Sequence, residues 1–152
     1  MKSKVKLVQT DATHADFRYL VQQLDEDLAA RYGAQQDFYG QFNALATIKQ
    51  VIVAYQDESP IACGAIKAFD EQAMEVKRMF VASTHRSLGI ASQVLVALED
   101  WARTLGYQHC VLQLADNQAE ALRLYEKNGY QRISNFGPYI GDESSICMQK
   151  SL

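Results

Sequence analysis

The spacing of apolar residues changes once in the middle of this chain, and the place where it changes limits the fold. Gln50-Val-Ile-Val-Ala-Tyr55, Ile61-Ala-Cys-Gly-Ala-Ile-Lys-Ala-Phe69 and Met74-Glu-Val-Lys-Arg-Met-Phe-Val81 are three strand-like runs separated by Asp57-Glu-Ser-Pro60 and Asp70-Glu-Gln. Runs joined by turns this short predict an antiparallel meander. Beyond them Ile90, Val94, Leu98, Trp101, Ala102 and Leu105 recur at helical steps, marking one face of a helix that closes near Gly106. The join, residues 82–89, is a polar turn carrying Arg86 and Gly89. A helix N-terminus offers backbone N–H groups without intrahelical partners and the positive end of the helix dipole. A glycine there lets an anion approach the backbone closely. An ordinary strand–turn–helix connection has the same look, so the rest of the chain must decide between the two.

Upstream, Val5-Lys-Leu7-Val-Gln9 alternates as a short strand, and Asp11 or Thr13 is placed to cap the helix that follows. Phe17, Leu20, Val21, Leu24 and Leu28 form the apolar face of that helix, which should stop near Arg31-Tyr32-Gly33. Its Asp25, Glu26 and Asp27 read as a solvated face. Residues 35–46, polar and aromatic together, read as a short helix or ordered loop whose aromatics plug the core. Downstream, His109-Cys-Val-Leu-Gln-Leu-Ala115 is a strand, and Asp116 or Asn117 is placed to cap a helix containing Ala121, Leu122, Leu124 and Tyr125. This helix ends at Asn128-Gly129, and residues 130–133 and 145–149 supply two last strands. The order predicts an α/β (α+β) protein, with a mixed, mostly antiparallel twisted sheet of about six to seven strands flanked by helices. With no repeat or linker in 152 residues, one domain over 1–152 is expected.

Bulk properties exclude several function classes. The net charge is −3 with no basic stripe, which argues against a nucleic-acid partner. The start, Met-Lys-Ser-Lys-Val, lacks the apolar run of a signal peptide, and no segment approaches the ~20 apolar residues of a membrane span. A cytoplasmic protein with no membrane partner is the expectation. Cys63, Cys110 and Cys147 are odd in number and embedded in apolar runs, so they read as small buried hydrophobes in a reducing compartment. His14, His85 and His109 have no ligand spacing, and no metal is expected.

Two stretches carry a family resemblance. Arg86-Ser-Leu-Gly89-Ile-Ala91 resembles the [QR]-x-x-G-x-[GA] motif at the strand–helix junction of the GNAT N-acetyltransferase superfamily. Ala121-Leu-Arg-Leu124-Tyr125-Glu-Lys127-Asn-Gly129-Tyr130 is similar to that family's second motif, in the same order along the chain. The resemblance covers residues 48–133 well and the N-terminal helical region loosely. It implies acetyl-CoA as co-substrate and transfer of its acetyl group to a primary amine, with a small-molecule acceptor favoured.

Under that resemblance, backbone N–H groups of Ser87, Leu88, Gly89, Ile90 and Ala91 would cradle the pyrophosphate, with Arg86 contributing near the phosphates through its charge or its backbone. The backbone of Met79, Phe80 and Val81 would pair with the pantetheine amides as an added strand, and one of its N–H groups would polarise the thioester. Tyr125 stands where the family commonly places the general acid for the departing thiolate. Glu75, eleven residues before Arg86, has the spacing of a general base, although ordered water serves in many members. The amide that often precedes the tyrosine by seven residues is Gln118 rather than Asn, with Asn117 one place earlier; both are candidate coenzyme contacts. Arg123 and Lys127 face either the coenzyme phosphates or solvent. The loop 136–143, with Arg31, Tyr32 and residues 38–42, is expected to wall the acceptor pocket, where Asp142 and Glu143 either hold a cationic acceptor or are solvated. The resemblance also leaves room for a homodimer, for a non-catalytic acyl-CoA-binding domain, and for acetylation of protein lysine or N-terminal amines.

Overall fold

The computed structural model describes residues 4–32 and 48–152. Its strands are β1 (Lys6–Thr10), β2 (Gln50–Gln56), β3 (Ser59–Ala68), β4 (Ala73–Val81), β5 (His109–Ala115), β6 (Gln131–Ile133) and β7 (Ser145–Ser151). Its helices are α1 (Ala15–Tyr32), α2 (Ile90–Thr104) and α3 (Ala119–Lys127). Every described element stands where the period of its sequence places it, with ends shifted by one or two residues. The reading of residues 35–46 falls outside the described residues.

The strands form a single sheet in the order β1-β2-β3-β4-β5-β7-β6. Each pairing is antiparallel except that of β4 with β5, which is parallel. The β2–β3 hairpin turns on Asp57 and Glu58, both at positive φ (51° and 70°), the mirror-image turn whose twist suits a two-residue hairpin. Helix α1 is capped by neither Asp11 nor Thr13. Asp11 binds Thr13, and the cap is His14, whose Nδ1 accepts the Asp16 N–H at 3.2 Å and whose carbonyl accepts that of Arg18.

The two sheet faces bury separate cores. On one, Ile90, Val94, Leu98 and Ala102 of α2 pack against Ile52, Ile66, Met74, Val76, Leu112 and Met148. On the other, Phe17, Leu20, Val21 and Leu24 of α1 pack against Val51, Val53, Cys63, Ala65 and Phe80. Fully burying a side chain of this size contributes about 1.5–3 kcal/mol, so these stripes hold the helices to the sheet. The three cysteines are free and buried, as their apolar settings predict.

Two irregularities in the middle of the sheet prepare a site. The first is a bulge. Ala65 pairs with Lys77 and Cys63 with Phe80, so two steps along β3 face three along β4. Arg78 is the extra residue, at φ 59°. The second is a splay: β4 and β5 pair only at Ala73–His109, Met74–Cys110 and Glu75–Val111, although both strands run on. Beyond Glu75 the sheet opens into a wedge. Gly64 on β3 admits the wedge-side Met79, since a Cβ there would fall against Met79 Sδ and within 2.9 Å of Leu98 Cδ1.

Candidate active site

The wedge is the mouth of a cleft of about 880 Å³ lined from β4, β5, the turn before α2, and α3. It opens on both sides of the sheet. Tyr125 belongs to the α2-side core, whereas Glu75 and Lys77 share the α1-side face with Ala65 and Phe80. The bulge makes this possible, because in a regular strand Lys77 and Phe80, three residues apart, would lie on opposite faces. Leu24 and Leu28 of α1 wall the same side, with Tyr139 from the 3-10 turn Gly137–Tyr139.

At the outer end of the cleft, α2 begins on Gly89, which lies at φ 78°, ψ 8° and supplies no side-chain cap. The Gln93 N–H is bonded to the Gly89 carbonyl, so those of Ile90, Ala91 and Ser92 have no acceptor within the helix. All three residues line the cleft, and a Cβ placed on Gly89 meets no atom within 4 Å. The space before the helix is therefore open to an anion. Ser87 and Arg86 line it too, while the Leu88 side chain is 59% exposed and stands off the cleft. Arg86 is anchored rather than free: its Nε donates to the Val81 carbonyl at 2.9 Å, and Asp27 lies 3.6 Å from its guanidinium.

The strand edge between these points is partly available. The Ala82 N–H donates to the Ile61 carbonyl at 2.8 Å. Alternation then turns the Phe80 amide toward β3 and those of Met79 and Val81 toward the wedge. With the Val81 carbonyl held by Arg86, the open groups are the Val81 N–H and both backbone groups of Met79. Phe80 also lines the cleft, although its amide is turned toward β3.

Deeper in, Tyr125 is 8% exposed and meets Tyr130 edge-on at 5.7 Å. Burial pushes its phenol well above the ordinary value. Tyr130 is itself fixed by donating to Glu99 Oε2 at 2.8 Å, and Lys150 Nζ reaches Glu99 Oε1 at 2.8 Å. This buried carboxylate with its two partners backs the tyrosine. At the apex of the wedge, Lys77 Nζ is 3.4 Å from Glu75 Oε2, with both side chains largely buried. Burial lowers the Lys77 ammonium from its usual range, partly opposed by Glu75.

Several expectations need correction. The N-cap of α3 is Gln118, not Asp116 or Asn117. The Gln118 Oε1 accepts the Ala115 N–H at 2.9 Å and so closes the β5–α3 turn, although both Asn117 and Gln118 line the cleft. The acidic run of α1 is not simply a solvated face: Asp25 binds Arg78 at 2.6 Å, and Asp27 stands between Arg31 (3.2 Å) and Arg86 (3.6 Å). Asp142 is absent from the cleft lining and is engaged within its own loop. It receives Ser144 Oγ at 2.7 Å and Ser145 Oγ at 2.6 Å and holds its own loop together. Arg123 and Lys127 do line the cleft. Lys77 and Gln113, which the sequence pattern does not single out, line the cleft as well. The signal for Lys77 was a charged side chain two residues from Glu75 on a strand, hence on the same face.

Comparison with known proteins agrees with this geometry. Residues 12–130 match the model of the acetyltransferase (GNAT) family. An IAA acetyltransferase of Azospirillum brasilense is 35% identical over 135 residues, covering 88% of each chain. The crystal structure of a Klebsiella pneumoniae protein assigned as an acyl-CoA N-acyltransferase superposes with a TM-score of 0.80 at 27% identity, over 97% of each chain. A GNAT family acetyltransferase of Elizabethkingia anophelis, solved with acetyl-CoA bound, shares the fold at a TM-score of 0.71 and 19% identity, over 97% of this chain and 98% of that one. With the wedge, the uncapped helix start and the buried tyrosine in place, this chain belongs to the GNAT acetyltransferase family.

Proposed function

We propose that the protein moves the acetyl group of acetyl-CoA to a primary amine of a small molecule, by direct attack within a ternary complex. The observation that carries this reading is the wedge itself: one gap brings an open anion site, a free strand edge, Tyr125 and Glu75 into a single cleft. The pyrophosphate fits the N–H groups of Ile90, Ala91 and Ser92, assisted by the turn at Ser87 and Gly89. Arg123 and Lys127 add positive charge on the facing helix. The pantetheine amides fit the Met79 and Val81 edge, as a peptide strand would.

The acceptor enters from the α1 side, where Glu75 takes a proton from its ammonium, directly or through water. The freed amine forms the new C–N bond as the C–S bond breaks, and the sulfur leaves with the electron pair. Tyr125 faces this sulfur from the opposite side of the sheet. Because burial raises its pKa above that of a thiol near ~8.5, it acts chiefly as a neutral hydrogen-bond donor to the forming thiolate. The proton that ends on sulfur then derives from the attacking nitrogen. Thiol release measured with acetyl-CoA and a broad panel of amines tests the reading. Amine-dependent release is expected, and tight coenzyme binding with no turnover across the panel would favour a binding domain instead.

A further inference from the structure

The acceptor side of the cleft carries more positive charge than a simple amine needs. Lys77 lies at the apex with its side chain 6% exposed, and its only hydrogen-bond partner among the described residues is Glu75, at the long distance of 3.4 Å. An ammonium has three donors, so this one contact leaves it under-satisfied in a place where water is scarce. Lys67 adds to the imbalance. It pairs with Glu75 across the β3–β4 ladder, so it shares the face, and its charge opposes that of Lys77. Arg78 is already matched by Asp25 at 2.6 Å. Two lysines thus stand beside one carboxylate, and the surplus is a buried cation directed at the place where an acceptor must sit.

We infer that the acceptor is an amino acid, or a compound with the same amine-and-carboxylate pair, whose carboxylate is held by Lys77 while its amine is presented to Glu75. The Glu75–Lys77 couple is a zwitterion set into the cleft, complementary in sign to a zwitterionic acceptor. Binding exchanges one long internal ion pair for two intermolecular ones. Leu24, Leu28 and Tyr139, which line the same cleft, fit an apolar or aromatic side chain better than a charged one. Lys77 is then a specificity-determining residue. This inference rests on the acetyl-transfer reading and narrows it.

The test is thiol release from acetyl-CoA with three matched sets of acceptors: L-phenylalanine and L-leucine, their carboxamides, and the amines that lack the carboxyl group altogether. The free amino acids are expected to exceed their carboxamides in kcat/KM by about tenfold or more, the usual range for a charged hydrogen bond. Lys77→Met should collapse that margin: both sets lose some turnover because Glu75 loses its 3.4 Å partner, but KM should rise several-fold more for the amino acids than for the carboxamides. Lys77→Arg should restore part of the margin. Turnover of the carboxylate-free amines with equal or greater efficiency would overturn the inference and leave acetyl transfer standing. Absence of turnover with all three sets while other amines of the broad panel release thiol would overturn the inference alone; absence across the whole panel would overturn both. If Lys77→Met lowers turnover of amino acids and carboxamides alike, Lys77 serves only to hold Glu75, and the inference falls.

Discussion

Replacing Tyr125 by Phe separates chemistry from coenzyme binding. The Tyr125 hydroxyl has no hydrogen-bond partner among the described residues, and its ring keeps the 5.7 Å edge contact with Tyr130. The substitution therefore removes one oxygen and no structural bond, and stability should stay within about 0.5 kcal/mol. A hydrogen bond to a charged acceptor is worth about 1.5–3 kcal/mol. If that bond forms only as the sulfur becomes a thiolate, all of it appears in the barrier, a slowing of roughly 10- to 150-fold. The assay is single-turnover thiol release with enzyme in excess over acetyl-CoA, which removes product release from the measured rate. The KM for acetyl-CoA should change little, since the open helix start and the β4 edge are untouched. A single-turnover rate within twofold of the parent enzyme would refute the role given to Tyr125. So would an alkaline limb near pH 10 that disappears with the substitution, because a phenol pushed up by burial should not titrate there.

Three further outcomes follow from the packing. Lys150→Ala strips the 2.8 Å partner from Glu99, which is 2% exposed, and should destabilise the fold by about 3 kcal/mol, read as a lower urea midpoint. Gly64→Ala drives a Cβ against Met79 and Leu98, and should cost about 1–3 kcal/mol while weakening coenzyme binding through displaced Met79, measured by calorimetry. The thiols of Cys63 and Cys110 are pushed up by burial to about 12 and about 11. In the unfolded chain they ionise near ~8.5. Their protonated forms thus support the fold fully below that pH, and stability should fall as the pH rises from about 8.5 toward 11. Urea midpoints across this range check it, with Cys110→Ala flattening part of the fall.

The strand–helix junction and the helix that carries Tyr125 were legible because their parts are local. Arg86, Gly89 and the start of α2 adjoin one another, and Tyr125 sits on a helix whose period and glycine end are plain in the sequence. The meander was legible for the same reason, since short turns leave strands little choice of partner. What escaped depends on distant residues meeting or on a single irregular peptide. Asp25 and Asp27 look solvated until Arg78 and Arg86, far along the chain, come to rest beside them. Asp142 looks available until its two serines fold onto it. The bulge at Arg78 leaves no mark in the pattern, because a non-glycine residue at φ 59° has no propensity signature. Yet it decides that Lys77 and Phe80 share a face.

The early end of β4–β5 pairing has one more consequence. An unpaired strand edge on the outside of a protein invites the edge strands of other molecules, and such edges are usually blunted or covered. This one lies at the bottom of a wedge, with β5 on the far side and α1 and α3 contributing to its walls. A neighbouring sheet is too broad to reach it, but a slender amide-bearing chain is not. The geometry that leaves peptide groups free for a ligand therefore also shields them from aggregation, and the sheet can stay open without becoming sticky.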